Sequence, residues 1–356
     1  MTDLLYSEAE GDLRAAVRSL LADRADPAGL PGRVESGSAH DPALWRALAA
    51  DMGTAGLLVP EKLGGQGATH REAAVVLEEL GRAVTPVPYL TSSVIATETL
   101  LALEASDPAV DLLTGLAAGR TVAALAVPLS AGPGHEPTTG TVTGVADAAR
   151  ADVLLVLRPD GLYAVDAADA TIAPRTPLDL TRPLAAVTVP DGVGTRLADA
   201  DTARTAVRRG LLAGAGLLAS EQLGVAEWCL EETVRHTRDR HQFNRPIGSF
   251  QALKHRMAQL WLEVVSARAA ARNAADALAT GSPEAPLAVA VAQVHCSRVA
   301  VHAAEECVQL HGGIGMTWEH PAHLYLKRAK ADQIALGSVA RHKETLAGLV
   351  DLPAPA

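Results

Sequence analysis

Two segments combine residue types and spacings that suit ligand chemistry. The first is Arg238-Asp239-Arg240-His241-Gln242-Phe243-Asn244-Arg245, flanked by Arg235, Lys254 and Arg256. It concentrates positive charge in a 356-residue chain whose formal net charge is −10. A guanidinium stays charged at any working pH, and its planar fork pairs with carboxylate or phosphate oxygens. The cluster reads either as a site for an anionic ligand or as a solvated helix face. The second segment is Gln309-Leu310-His311-Gly312-Gly313-Ile314-Gly315-Met316-Thr317. Adjacent glycines let a backbone approach phosphate or ribose without Cβ interference, but the same pair also serves as an ordinary helix stop.

Bulk composition narrows the field. With 48% hydrophobic and 20% charged residues the chain reads as globular, and its length divides into two or three subdomains. The net negative charge argues against a general nucleic-acid binder. No stretch near twenty apolar residues lacks a charge or a breaker, so no membrane span is expected. The start has no basic segment followed by an apolar run, which points to a cytoplasmic protein. Cys229, Cys296 and Cys307 have neither a disulfide framework nor metal-ligand spacing, so no metal is expected. Abundant alanine with only 3% aromatics favours helices with closely approaching axes.

The elements that must position these segments follow from periodicity. Leu44, Leu48 and Met52, then Val75 to Leu80, recur at helical spacing, and another helical run covers about 91–103. From about Thr121 the texture turns to short β-prone runs: Thr121–Val127, Asp152–Leu157, Leu162–Val165 and Ala186–Val189. After Asp201 an apolar stripe from Val207 to Val234 marks a long helix. A second follows Ser249, a third ends at His311-Gly312-Gly313, and a fourth begins near Pro321. The fold class is therefore α+β. An N-terminal helical domain (1–120) precedes a small middle β-domain (121–200) and a C-terminal four-helix bundle (201–356).

This order, with the two motifs, resembles the acyl-CoA dehydrogenases over nearly the whole chain. Arg238–Gln251 is similar to the family's R-x-x-F-G-x-x-I segment, with Asn244 in place of its glycine. Gln309–Met316 looks like its Q-x-x-G-G-x-G-[FYM], and Pro60-Glu61-Lys62-Leu63-Gly64-Gly65 like its N-terminal P-E-x-x-G-G turn. The resemblance implies an FAD cofactor and an acyl-CoA or acyl-carrier thioester substrate. It assigns Arg240 to the flavin pyrophosphate of a neighbouring subunit, with Gln242, Phe243, Gln309, Gly312 and Gly313 around the same dinucleotide.

The chain departs from the family at its catalytic base. The usual glutamate falls at Leu336, although the following Gly337 and Ser338 survive as further flavin contacts. A minority of members place the base on the long helix instead, at a position that falls near Gly214, beside Ala215. These small residues leave room for a bulky acyl group. Glu221, two turns further on, is a displaced candidate, and Asp332 is another. The loop Pro128–His135 lacks the family's T-E-P-x-A-G-S-D pattern, and the middle domain is shortened after Gly144. Three readings follow. The chain is the base-lacking subunit of an α2β2 dehydrogenase, or a complete homomeric enzyme with an unrecognised base. Failing those, it is a family scaffold reused for non-redox binding or another reaction.

Overall fold

A computed structural model describes residues 4–25, 29–37, 40–104, 106–137 and 139–353. The N-terminal part is helical: α1 (Glu8–Arg24), α2 (Leu30–Glu35), α3 (Pro42–Arg46), α4 (His70–Arg82), α5 (Thr97–Leu101) and α6 (Asp107–Ala117). Side-chain caps fix where two of them start. In α1, Ser7 and Glu10 form a reciprocal capping box, and in α4 Thr69 and Glu72 do the same. The run expected over about 91–103 begins earlier, as a π-helical segment Tyr89–Ala96 that is buried throughout and leads into α5.

Apart from a two-stranded hairpin after the long helix, the strands lie between Ala123 and Asp199 in two sheets. One has the order β1 (Ala123–Leu125), β3 (Val153–Arg158), β4 (Gly161–Asp166), β7 (Thr195–Asp199); the other is β2 (Thr141–Ala146), β6 (Leu184–Thr188), β5 (Thr171–Arg175). Strand β3 shows why the sheets sit where they do. Its period-two alternation sends Leu154 and Val156 into a small core between the sheets, with Val142, Val145, Val165 and Val187. Leu155 and Leu157 point the other way and join the main helical core. Both faces are covered, so β3 reads as a continuous apolar run.

Helix α7 (Ala200–Asp239) starts at Asp199, whose side chain accepts from the Thr202 amide, and runs for 40 residues. Helices α8 (Gln251–Ala279) and α9 (Ala285–His311) pack along it. The expected fourth helix is two short ones, α10 (Ala322–Asp332) and α11 (Val339–Leu349), broken where Leu336 and Gly337 take φ values of 54° and 104°. Among the described residues, α9 and its C-terminal turn are long and apolar enough to cross a membrane. The sequence reading excluded such a stretch, but α9 is the mostly buried central helix of this bundle, which accounts for its composition.

Helices α4 and α7 cross at van der Waals limits. A Cβ at Gly224 would lie 1.9 Å from the Glu78 carbonyl oxygen, and one at Gly81 would lie 2.1 Å from that of Glu221. The crossing thus depends on a glycine in each helix. Gly224→Ala is expected to cost at least about 1–3 kcal/mol through backbone displacement. The midpoint of chemical denaturation reads this, against Gly11→Ala on exposed α1, where a Cβ meets nothing within 4 Å.

Candidate functional site

The structure sorts the sequence-derived site residues into two groups, one just past the C-terminus of α7 and the other beside Gly214 in its first half. Arg240, Gln242 and Phe243 follow the helix C-terminus in a hairpin of β8 (His241–Gln242) and β9 (Arg245–Pro246). Its two turn residues, Phe243 and Asn244, have φ of 53° and 58°. Asparagine is among the few side chains that tolerate this region, which explains how it replaces a glycine there. Phe243 is 86% exposed, held only by an edge-on contact to Phe250 at 6.0 Å. The Arg240 guanidinium is exposed and forms no ion pair with any described residue. Within the cluster Arg235 pairs with Glu232, Arg256 with Glu306 and Arg245 with the Phe250 ring at 3.9 Å, while Arg238 and Lys254, like Arg240, are exposed and form no ion pair with any described residue.

Gln309, Gly312 and Gly313 belong to the same end. His311 stacks on His236 of α7 with ring centroids 4.1 Å apart, which brings the end of α9 beside the hairpin. Gln309, Gly312 and Gly313 are all exposed. Gly312 caps α9 at φ 64°, ψ −139°, a conformation that excludes side chains. Gly313 has no positive φ, and a Cβ there would meet nothing within 4 Å. Folding of the described chain gives no reason for glycine at 313, whereas close approach by an outside group does.

Gly337 and Ser338 lie elsewhere. Leu336 touches α7 at Gly214, 22 residues before His236, or roughly 33 Å along the helix at about 1.5 Å per residue. A Cβ at Gly214 would lie 3.2 Å from Leu336 Cδ1 and 2.6 Å from Ile95 Cγ1. The two positions that the resemblance marks for a base therefore face each other, and both are apolar. They leave a void of only about 20 Å³ among Ile95, Leu125, Leu211 and Leu336. The room expected from Gly214 and Ala215 is absent because Ile95 and Leu336 fill it. Leu336 is pinned by its amide to Leu129 O at 2.7 Å, and His342 Nε2 lies 3.1 Å from its carbonyl. Gly337 and Ser338 have local explanations: a Cβ at 337 would meet His342 Nε2 at 2.9 Å, and Ser338 caps α11.

Next to this closed space lies a group that sequence reasoning saw only in parts. Arg182, from the β5–β6 connection, donates to both Glu221 oxygens at 2.6 and 2.8 Å and to Asp332 Oδ1 at 2.5 Å. Arg328 of α10 reaches Glu221, Asp179 and the Thr181 hydroxyl. All five charged side chains are at most 7% exposed. Against its burial, Arg182 and Arg328 hold Glu221 below the usual carboxylate range. Glu221 is thus a poorer base than a free glutamate, and its lone pairs are occupied. Two guanidinia face three carboxyls, so one negative charge is in excess. It is relieved at Asp332, whose second oxygen has no partner and which burial, opposed by Arg182 and reinforced by Glu221, pushes up to about 7. No sequence motif links residues 179, 182, 221, 328 and 332; only the fold assembles them.

A second unforeseen cluster sits under the glycine turn: Glu232 of α7, His311 and His320, with ligand atoms within 4.8 Å of one another. The sequence reading weighed cysteine spacing alone and passed over residues separated by up to 88 positions.

A helical domain, a two-sheet domain and a long-helix bundle in this order define the fold class of the acyl-thioester dehydrogenases. The models of the acyl-CoA dehydrogenase N-terminal and C-terminal domains match residues 7–119 and 204–349. The acyl-CoA dehydrogenase IpdE2 of Mycolicibacterium smegmatis is 38% identical over 331 residues, covering 93% of this chain and 95% of that protein. IpdE2 of Mycobacterium tuberculosis is 39% identical, covering 89% of each. This chain belongs to the acyl-CoA dehydrogenase family. Among solved structures it is similar to a chain of the ChsE4-ChsE5 complex from Mycobacterium tuberculosis, with a TM-score of 0.87, 27% identity and full coverage of both chains. A variant of the Tcur3481-Tcur3483 steroid ACAD matches with a TM-score of 0.85 and 28% identity over 97% of this chain and 98% of that one.

The excess-charge account predicts a pH dependence. A carboxyl with a raised folded-state pKa stabilises the fold fully below its ordinary value of 3.8, and that contribution is lost as pH rises towards 7. Asp332→Asn removes the loss. Its denaturation free energy relative to wild type should therefore rise between about pH 4 and pH 7. Arg328→Leu, which strands Asp179 and leaves Glu221 to Arg182 alone, should cost about 3–5 kcal/mol at neutral pH.

Proposed function

We propose that this chain is the base-lacking subunit of a heteromeric, FAD-dependent acyl-CoA dehydrogenase. In this reading it completes a flavin site held mainly by a homologous partner. The observation that carries it is the contrast between the two groups along α7. At one, Leu336 and Ile95 close the space where a base and acyl chain belong. At the other, the Arg240 side chain is exposed with no ion pair to any described residue, and a Cβ at Gly313 would meet nothing within 4 Å. The ChsE4-ChsE5 complex is a two-component relative of matching fold, which supports a heteromer. The Tcur3481-Tcur3483 steroid ACAD supports a bulky, polycyclic acyl-CoA as the substrate of the assembled enzyme.

FAD fits the open end, because an unpaired guanidinium suits its pyrophosphate and a bare backbone turn suits close approach of its ribose or phosphates. When bound, FAD supplies the hydride acceptor for α,β-desaturation of the thioester, which also needs a protein base. This chain would contribute binding and orientation: Arg240 a charge for the phosphates, Gln242 an amide, Phe243 an apolar face, and Gln309, Gly312 and Gly313 the bare turn. Leu336 takes no proton, and Glu221 is held by two arginines, so the proton is accepted by a partner glutamate. The reading in which Glu221 acts as a displaced base loses its support for the same reason.

Purified alone, the chain should be colourless and inactive towards acyl-CoA. Co-purified with a homologue that carries the glutamate, it should give a yellow, active complex. In that complex Arg240→Ala should weaken FAD binding by about 10- to 100-fold, the worth of one charge-assisted phosphate contact. Unchanged flavin affinity would remove Arg240 from the site.

A further inference from the structure

We infer that Glu232, His311 and His320 form a binding site for one divalent transition-metal ion beneath the Gly312–Gly313 turn. The three come from separate places: the last turns of α7, the last residue of α9, and the loop before α10. Glu232 Oε1 lies 3.1 Å from His320 Nε2 and 3.6 Å from His311 Nε2. Ligands about 2.0–2.1 Å from a tetrahedral zinc-type ion stand about 3.3 Å apart, so these separations are those of a coordination polyhedron's edges.

His311 decides what kind of group belongs there. Its side chain is fully buried. Its Nδ1 lies 2.7 Å from the Cys307 carbonyl, which only accepts, so Nδ1 carries the proton of the neutral ring. Nε2 then presents a lone pair, and it has no hydrogen-bond partner. That lone pair faces the Glu232 carboxylate, an arrangement that repels unless a cation lies between them. The 3.6 Å separation is longer than a hydrogen bond, and a metal ion there would take the place of the proton that otherwise pairs His311 with Glu232. A backbone carbonyl bonded to the far nitrogen is also the usual device for orienting a metal-ligating histidine.

The remaining contacts are compatible with a metal at modest cost. The Ala322 amide donates to His320 Nδ1 at 3.2 Å. Coordination through Nε2 moves the ring proton to Nδ1 and costs the bond from that amide, which belongs to buried Ala322. Arg235 shares Glu232, donating to Oε2 from Nε at 2.9 Å, and it is 64% exposed. A metal on Oε1 leaves that second contact in place, and displacing one exposed ion-pair contact costs little. Two imidazoles and one carboxylate favour zinc, cobalt, nickel or iron over magnesium or calcium. His236 stacks on His311 and shields its outer face.

Such an ion would tie the end of α7, the glycine turn and the loop before α10 together. On the reading given above, it would rigidify the nucleotide-facing turn, but metal binding itself does not depend on that reading. The test uses the tag-free full-length chain, stripped with chelator and titrated with Co²⁺. About one equivalent should bind with a visible d–d band and raise the melting temperature. His320→Asn and Glu232→Gln should each weaken binding by well over about 10-fold, since each removes a ligand. Melting of the metal-free variants beside the metal-free wild type separates ligand loss from misfolding. No visible band, or the same midpoint in correctly folded variants, overturns the site. Retained Co²⁺ binding in a chain that adds nothing to a partner's flavin would overturn the functional reading and leave the metal site standing.

Discussion

Two guanidinium groups buried among three carboxyls hold this molecule's layers in register. Arg182 comes from the strand domain, Glu221 from the long helix and Arg328 and Asp332 from α10, so one network spans the β-domain and the bundle. Burying this many charges carries a large desolvation penalty, repaid only when each finds its partners. The segment that follows Asp332 inherits this rigidity. Four residues later Leu336 is delivered against Gly214 with its amide bonded to Leu129, and the break between α10 and α11 falls there. The closure of the would-be catalytic space is thus built into the core rather than being a loose side chain in an open cavity.

The two groups along α7 consequently have opposite characters. Around Leu336 every glycine or serine is explained by the chain's own backbone: Gly337 by its φ and its histidine neighbour, Ser338 by helix capping. Around Arg240 the explanations run out inside the chain. An exposed guanidinium without an ion partner among the described residues, a phenylalanine 86% exposed in a strained turn, and a glycine with open space beside it all face outwards. Strain and exposure of this kind are kept where an external group makes use of them.

Much of this was legible in the sequence because it rests on local rules. Helices α4 and α7–α9 follow from apolar periodicity and caps, and β3, β4 and β6 from dense β-branched or leucine runs. Strand β2, whose run Gly144 interrupts, was not foreseen, and neither were β5 and β7, for a physical reason of their own. Both are sheet edges with little to bury; β5 carries Pro174, and residues 195 and 196 of β7 are exposed. The Arg240 and Gly312–Gly313 motifs were readable as contiguous patterns, whereas their adjacency needed the stacking of His236 on His311. The charge network and the Glu232–His311–His320 cluster were invisible, since each draws on three or more segments that only the tertiary fold unites. Glu221 illustrates the limit best: its spacing suggested a displaced base, and its partners make it a structural anion.

The central claim is that this chain supplies half of one flavin site and none of a second. The most direct measurement is the ratio of FAD to protein chains in the purified complex with its glutamate-bearing homologue, from flavin absorbance and native mass. One flavin for every two chains is the predicted result. One flavin for every chain would mean that this subunit cradles its own cofactor, and would contradict the account.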